Sequence, residues 1–160
     1  MNPPNYGIVL KKKLSRSGQP TAPSFMDLRT RGVSIIVKLD ENSEYPDKLE
    51  WKQFGREVTY QSISQFTNAS HEAQSKHIAK LIDKLITEGK WVHVHCRLGR
   101  DRAGLVVGMY RIIYTGASYN QVKKDFKKYG APWESYQEML KRAAVSYGPK
   151  KSKSKRRVAS

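Results

Sequence analysis

The sequence predicts an α/β fold in which helices flank a central, mainly parallel, twisted sheet of about four to five strands. Two observations predict this class. Short apolar or alternating runs, typical of strands, alternate along the chain with longer segments in which apolar residues recur at helical spacing. A basic, glycine-containing loop follows the last predicted strand, at the strand end where parallel sheets place their functional sites.

The strands are predicted from short hydrophobic runs. They cover residues 6–14, 33–39, 57–63 and 91–95. The run 33–39 is almost entirely apolar, which indicates a central strand that is buried on both faces. Residues 6–14 are expected to form an edge strand, and a turn is expected at residues 18–20.

The helices are predicted from helical periodicity and from capping residues. They cover residues 22–31, 47–54, 70–88, 103–114, 119–129 and 132–146. Thr21 and Ser118 are suitable N-caps, and Gly32 is a typical residue after a helix C-terminus. The segment 103–114 is apolar on most faces, which predicts a buried central helix.

The only cysteine of the chain, Cys96, stands between the strand 91–95 and the basic loop. A thiol is a useful nucleophile only as thiolate, and its usual pKa of about 8.5 falls beside a helix N-terminus and cations. Backbone N–H groups in a loop that opens a helix can converge on a phosphate. Arg102, six residues after Cys96, can bind two phosphate oxygens through its planar guanidinium. The pattern predicts attack of a cysteine thiolate on phosphorus.

Other interpretations of this loop fit the residues less well. The spacing from Gly99 to Gly104 resembles a nucleotide-binding loop, but Leu105-Val106 stands where Lys and Ser or Thr are required. One cysteine and four scattered histidines give no metal-ligand spacing, so we predict neither a metal site nor a cofactor. An isolated cysteine is ordinarily an inert buried side chain, but the surrounding pattern favours a nucleophile.

The sequence His95-Cys96-x5-Arg102 resembles the signature loop of the cysteine-dependent protein tyrosine and dual-specificity phosphatases. Its form Gly-x-Asp-Arg-x-Gly is similar to that of small bacterial and viral members. The resemblance implies that Cys96 is the nucleophile, that Arg102 binds the phosphate and the transition state, and that His95 positions the loop and lowers the pKa of the thiol. It also implies a phosphate-binding loop made of Arg97, Leu98, Gly99, Arg100, Asp101 and Arg102.

Two further stretches agree with this family. Residues 14–20 (LSRSGQP) are similar to the entry segment of atypical dual-specificity phosphatases, and residues 32–39 resemble the strand that follows it. The resemblance implies a dual-specificity-phosphatase-like arrangement of the sheet. We expect one phosphatase domain over residues 1–148 and a disordered basic tail over residues 149–160.

Two positions depart from the family pattern. The residue after the arginine is usually Ser or Thr, whose hydroxyl helps the thiolate to leave, but here it is Ala103. The loop that commonly supplies the general acid, residues 64–70, contains no carboxylate. Asp101 is one candidate for that acid, although it can instead form an ion pair with Arg97 or Arg100. The further candidates follow the strand 33–39 and are Asp40, Glu41 and Glu44.

Three functions therefore remain open. The first is hydrolysis of phosphotyrosine or a similar phosphomonoester in phosphoproteins through a cysteinyl-phosphate intermediate. The second is removal of a terminal phosphate from an RNA 5′-triphosphate or an inositol (pyro)phosphate, where the leaving group needs protonation least. The third is a non-catalytic phosphate-binding module, a pseudophosphatase, in which Ala103 and the missing acid leave turnover negligible.

The formal charge of +16 also bears on the partners. Residues 150–157 carry six lysine and arginine side chains and no acidic one, so that +10 of the +16 remains on the rest of the chain. This charge favours a phosphorylated protein or another anionic phosphate substrate, and binding of RNA or another polyanion through the basic surface and tail. The alternative is a solubilising charge without a specific partner.

The remaining features concern the cellular compartment. A single cysteine gives no internal disulfide framework and suits a reducing compartment. The N-terminal residues lack the pattern of a signal peptide, and no apolar run is long enough to span a membrane. We expect an intracellular monomer that is cytoplasmic, or nuclear if the host is eukaryotic.

Overall fold

The computed structural model describes residues 2–39, 57–60 and 68–149. The strands within these ranges are β1 (Gly7–Leu10), β2 (Leu14–Ser17), β3 (Ile35–Lys38), β4 (Glu57–Tyr60) and β5 (Val92–His95). The helices within the same ranges are α1 (Ala22–Arg31), α2 (Asn68–Thr87), α3 (Asp101–Thr115), α4 (Tyr119–Lys123), α5 (Asp125–Tyr129) and α6 (Glu134–Tyr147).

The strands form one five-stranded sheet in the order β1-β2-β5-β3-β4. Neighbouring strands from β2 to β4 pair in parallel, and β1 joins the edge antiparallel to β2. The predicted α/β class with a mainly parallel sheet is therefore confirmed. The strand β5 lies at the centre of the sheet, so the loop that follows it leaves the sheet at the middle of one edge.

The prediction of a single strand over residues 6–14 was wrong. The chain turns at Lys12, which has a φ of 58°, and the N–H of Lys13 donates to the carbonyl of Leu10 at 3.0 Å. Residues on either side of this turn form the β1–β2 hairpin. The strand β2 is buried at all four positions. Its sequence is Leu-Ser-Arg-Ser, and because three of these residues are polar, no apolar pattern predicts a buried strand here.

Each helix predicted within the described residues has a counterpart in the structure, and the ends of α2 and α3 lie within two residues of the predicted ones. The helix α1 has the predicted cap, because Thr21 accepts a hydrogen bond from the N–H of Ser24, and it ends at Gly32 with a φ of 113°. The predicted helix over residues 119–129 is instead two short helices, α4 and α5, that meet at Lys124. The last helix begins at Glu134, later than predicted. The predictions for residues 40–56 and 150–160 lie outside the described residues.

Helices cover both faces of the sheet. On one face, α2 and α3 pack against the apolar side chains of the inner strands, which include Leu14, Ile35, Val37, Val92 and Val94, and α6 packs in turn against α3. On the other face, α1 contributes Phe25 and Leu28 to a smaller cluster with Val33, Ile36 and Trp91. No helix in the described part of the chain combines the length and apolar composition needed to cross a membrane.

Candidate active site

The cysteine lies at the end of the central strand. Cys96 directly follows β5, is free, and is only 5% exposed. The chain then turns through residues 97–100 before α3 begins at Asp101, so Arg102 stands in the first turn of this helix. The arrangement is the predicted succession of strand, loop and helix N-terminus, and it places all the site residues predicted between His95 and Arg102 in one region.

The loop is packed closely against the end of β2. The N–H of Gln19 donates to the carbonyl of Arg97 at 3.0 Å. Gly99 has a φ of 74°, and a Cβ atom at this position would lie 2.4 Å from the nitrogen of Gly18. Both the backbone conformation and the close approach therefore require glycine at position 99.

Two side chains bind the loop from its outer side. Arg16 is 3% exposed, and its guanidinium donates to the carbonyl of Gly99 at 2.8 Å while it stacks over the ring of Tyr129 at 4.2 Å. The Nδ2 group of Asn5 lies 3.3 Å from the carbonyl oxygens of both Leu98 and Gly99. Sequence reasoning missed both residues as parts of the site, although Arg16 belongs to the LSRSGQP stretch that resembles the family.

These contacts orient the peptide groups of the loop. The carbonyls of residues 97, 98 and 99 all accept hydrogen bonds, from β2, from Gln19 just after it or from the segment before β1. In a trans peptide the N–H points away from the C=O, so the three amides that share these peptide bonds point to the opposite side. Successive N–H groups that face one side form a concavity suited to an anion. The site can therefore hold a phosphate beside the first turn of α3.

Asp101 connects the starts of two helices. One carboxylate oxygen accepts the N–H of Trp133 at 3.1 Å, which holds the start of α6 against α3. The other lies 3.4 Å from the guanidinium of Arg100, the ion pair considered as an alternative from the sequence. The side chain of Asp101 is only 13% exposed. Both oxygens of the carboxylate therefore contact neighbouring groups.

Arg102 lies beside a buried phenol. Tyr136 is fully buried, and its hydroxyl is 3.0 Å from the Nδ1 atom of His71. Burial raises the pKa of Tyr136, whereas the charge of Arg102 acts in the opposite direction. Burial and the charge of Arg102 also lower the pKa of His71. The charge of Arg102 therefore acts on the pKa values of both the phenol and the imidazole that pairs with it.

Two histidines of β5 lie under the cysteine on the face that bears α1. Both His93 and His95 are fully buried. The two nitrogens of His93 lie 2.7 Å from the hydroxyls of Ser15 and Ser17, which joins β5 to β2 by side-chain hydrogen bonds. Burial, followed by the charges of His95 and Arg31, holds the pKa of His93 well below its usual range. His93 therefore stays neutral while it bridges the two strands.

The remaining candidates from the sequence divide into two groups. Ala103 stands in the first turn of α3 and is completely buried in the main core. Its methyl group offers no hydroxyl to the site. The carboxylates Asp40, Glu41 and Glu44, and residues 64–67 of the loop expected to supply the acid, lie outside the described residues. Within the part of the chain that is described, no three His, Cys, Asp or Glu side chains are grouped as metal ligands.

Comparison with known proteins identifies the family. A family model described as "Polymorphic toxin system, DSP-PTPase phosphatase" matches residues 11–117, which include β2, Cys96, the loop and α3. A protein of Mycosarcoma maydis that carries the name tyrosine-protein phosphatase OCA1 is 31% identical over 111 residues, which are 68% of this chain and 70% of that protein.

Solved structures show the same fold. Tk-PTP in its active form superposes with a TM-score of 0.74 at 27% identity, over 89% of this chain and 97% of that chain. The core catalytic domain of the PP-IP phosphatase SIW14 from S. cerevisiae gives a TM-score of 0.73 at 18% identity, over 91% of this chain and 94% of that chain. Because the identity to SIW14 is only 18%, this similarity shows a shared fold and no more.

These findings agree with the site geometry. The predicted nucleophile and arginine lie within the matched region, at the end of the central strand and in the first turn of the following helix. A phosphatase of this family acts on substrates that contain phosphate groups. The chain belongs to the DSP-PTPase phosphatases described for polymorphic toxin systems, and it is a phosphoric monoester hydrolase of the tyrosine and dual-specificity phosphatase type.

Proposed function

We propose that the chain hydrolyses phosphotyrosine or a similar phosphomonoester in phosphoproteins through a cysteinyl-phosphate intermediate. One observation carries this proposal: Cys96 ends the central strand directly before a loop whose carbonyls are bound from outside, with Arg102 in the first turn of the next helix. The inward amides and the guanidinium would hold the phosphate against the sulfur.

The reaction proceeds in two displacements. The thiolate of Cys96 attacks phosphorus, a P–S bond forms, and the P–O bond to the leaving group breaks. Water then attacks phosphorus, the P–S bond breaks, and the thiolate and inorganic phosphate are released. Arg102 binds two equatorial oxygens in both transition states. His95, buried directly before Cys96, positions the start of the loop.

An aryl phosphate is the substrate whose leaving group best suits this site, in which no general acid is assigned. The phenol of tyrosine has a pKa of about 10, so its anion departs with less need of a proton than a serine alkoxide. Exposed apolar side chains also border the loop, because Leu98 is 51% exposed and Trp133 is 50% exposed beside Asp101. An aromatic ring of the substrate can pack on such surfaces.

We assign Asp101 primarily to the support of the loop, because both of its oxygens already contact Trp133 and Arg100. A role as general acid is tested by leaving-group dependence. If Asp101 donates the proton, Asp101→Asn will reduce hydrolysis of an alkyl phosphate far more than hydrolysis of p-nitrophenyl phosphate. A supporting role predicts similar reductions with both substrates.

A second candidate substrate is a polyphosphorylated molecule, such as an inositol pyrophosphate or an RNA 5′-triphosphate. The specific observation is the basic end of α5, where Lys127 and Lys128 are exposed and the following Gly130 lies against the side chain of Arg100. SIW14, whose catalytic domain shares the fold, is itself named a PP-IP phosphatase. Cations beside the loop would attract additional phosphate groups.

The decisive experiment compares phosphate release from a phosphotyrosine peptide, an inositol pyrophosphate and an RNA 5′-triphosphate at equal enzyme concentration. We expect the phosphotyrosine peptide to give the highest kcat/KM. Cys96→Ser should abolish turnover and retain binding of inorganic phosphate, because the amides and Arg102 remain. Residual turnover above a few per cent of wild type would contradict the covalent mechanism, and faster turnover of either polyphosphate would reverse the order of the two candidates.

A further inference from the structure

A buried lysine stands at the end of the strand beside β5. Lys38 ends β3, is the one charged residue in the run 33–39, and is only 2% exposed. Its Nζ group donates to the Oε1 atom of Gln19 at 2.7 Å, and Gln19 is buried as well. A hydrogen bond donated by an ammonium group is short and stronger than one between neutral groups. Because a buried polar group is costly when it loses a hydrogen bond, this bond holds the two side chains firmly together.

The bond bridges the two strands on either side of the strand that leads to the cysteine. Lys38 belongs to β3 and Gln19 follows β2, and in the sheet these strands lie on opposite sides of β5. Neighbouring strands are about 4.8 Å apart, so the two side chains connect strands that are about 10 Å apart. Lys38 is in register with His95, the residue directly before Cys96. The bridge therefore lies where β5 passes into the signature loop.

The segment that this bridge holds packs against the backbone of the loop. The N–H of Gln19 donates to the carbonyl of Arg97 at 3.0 Å. A Cβ atom at Gly18 would lie 3.0 Å from the carbonyl oxygen of Arg97 and 3.1 Å from the carbonyl carbon of Leu98, so the two backbones are in direct contact. The carbonyl of Arg97 shares its peptide group with the N–H of Leu98, which points the opposite way, towards the phosphate site. A displacement of residues 18–19 would therefore change the direction of this amide.

We propose that Lys38 is a positioning residue of the phosphate site. Its ammonium group holds Gln19, the N–H of Gln19 holds the carbonyl of Arg97, and the N–H of Leu98 is thereby directed at the phosphate. The inference rests on the proposed function, because it takes the amides of the signature loop as phosphate ligands. Lys38 acts through this chain of contacts and does not itself bind the substrate.

The test uses Lys38→Met in the full chain, which removes the donor and keeps a side chain of similar length. We expect it to weaken binding of orthovanadate and to lower kcat/KM for p-nitrophenyl phosphate by about tenfold, because the phosphate ligands are no longer held in place. Ser34→Ala is the matched control, because Ser34 forms two hydrogen bonds to Trp91 just before β3 and β5 begin, at the other end of the sheet. It should change neither value by more than about twofold.

A double variant separates positioning from a loss of stability. Lys38→Met alone takes the donor from the buried Oε1 atom of Gln19, so it should also lower the unfolding free energy. When Gln19→Leu is added, both partners are apolar and most of that stability should return, because replacing both members of a buried polar pair is nearly neutral. Vanadate binding should nevertheless stay about tenfold weaker than in wild type, because the bridge is still absent. Recovery of vanadate binding together with stability would overturn the proposal in favour of a purely structural role.

Three variants lack the bridge, namely Lys38→Met, Gln19→Leu and the double variant, and any one that folds is sufficient for the test. Vanadate binding within about twofold of wild type in such a folded variant would overturn the proposal. Failure of all three to fold would overturn it as well, because the bond would then serve folding alone. Wild-type protein that binds vanadate but turns over no phosphate ester would contradict the proposed function, while the comparison of vanadate binding among the variants would still decide this inference.

Discussion

The Nε2 atom of His93 donates to the hydroxyl of Ser17 across 2.7 Å, because the hydroxyl hydrogen is already donated to the carbonyl of Gly18 at 2.6 Å. The Nδ1 atom of the same ring accepts from Ser15, whose oxygen accepts in turn from the indole N–H of Trp91 at 3.1 Å. A neutral imidazole satisfies this network and a cationic one does not. The network ends at Gly18, which lies directly against the signature loop.

The first prediction concerns acid stability. In the folded protein, chiefly through burial, the pKa of His93 is well below its usual range. Below a pH of about 6.5, the imidazole of His93 is therefore protonated more readily in the unfolded chain than in the folded protein. The stability that His93 contributes is therefore complete above that pH and is lost as the pH falls, by up to about 1.4 kcal/mol per pH unit. Urea unfolding at pH 7.5 and 5.5 measures this loss.

The control for that prediction is an exposed histidine. His93→Gln should reduce the difference in unfolding free energy between the two pH values, although it lowers stability at both. His77→Gln should leave the difference unchanged, because His77 lies on the exposed surface of α2. An unchanged pH dependence in His93→Gln would show that other groups cause the acid destabilisation.

The second prediction compares two glycines with similar backbone conformations. Gly99 has a φ of 74° and Gly89 has a φ of 87°, but a Cβ atom would clash with Gly18 only at position 99 and would meet no heavy atom within 4 Å at position 89. Gly89→Ala should cost about 1 kcal/mol of unfolding free energy and leave turnover unchanged. Gly99→Ala should cost more and also reduce kcat/KM, because the loop must move. Equal turnover in the two variants would contradict the proposed role of this packing.

The third prediction concerns the geometry of the arginine. Arg102→Lys should lose nearly as much turnover as Arg102→Ala, because one ammonium cannot form two parallel hydrogen bonds to the transition state. Steady-state kinetics with p-nitrophenyl phosphate measure both variants beside wild type. If lysine restores most of the rate, positive charge alone is sufficient and the planar fork is unnecessary.

The fourth prediction concerns Ala103. A hydroxyl at this position helps the thiolate to leave in the resembled family, so we expect slow hydrolysis of the phosphoenzyme and a burst of product before the steady state. Ala103→Ser should raise the steady-state rate about fivefold, the effect of one hydrogen bond of about 1 kcal/mol, with little change in the burst rate. Rapid-quench kinetics on both proteins provide the measurement.

Ala103→Ser can also have the opposite effect and lower the rates of both chemical steps. Ala103 is completely buried in the core, so an added oxygen can instead crowd the first turn of α3. In that case the burst rate, the steady-state rate and the unfolding free energy would all fall together. Such a result, or a wild-type protein without a burst, would contradict slow dephosphorylation as the cause of a low rate.

The parts of this protein that could be predicted from its sequence are local along the chain. The cap at Thr21, the end of α1 at Gly32 and the succession of β5, loop and α3 each depend on residues within a few positions of one another. Capping hydrogen bonds, backbone preferences and the spacing from Cys96 to Arg102 are properties of short segments. The α/β class follows from the same kind of pattern, since strands and helices differ in hydrophobic period.

The tertiary structure alone decided which distant residues support the site. The strand β2 is polar in sequence yet fully buried, because Ser15, Arg16 and Ser17 find partners on β5 and on the signature loop. Likewise, Tyr136 reaches a histidine that is 65 positions away in the chain. A buried polar side chain is stable only when a partner satisfies its hydrogen bonds, and the identity of that partner depends on the packing of the whole fold rather than on any local pattern.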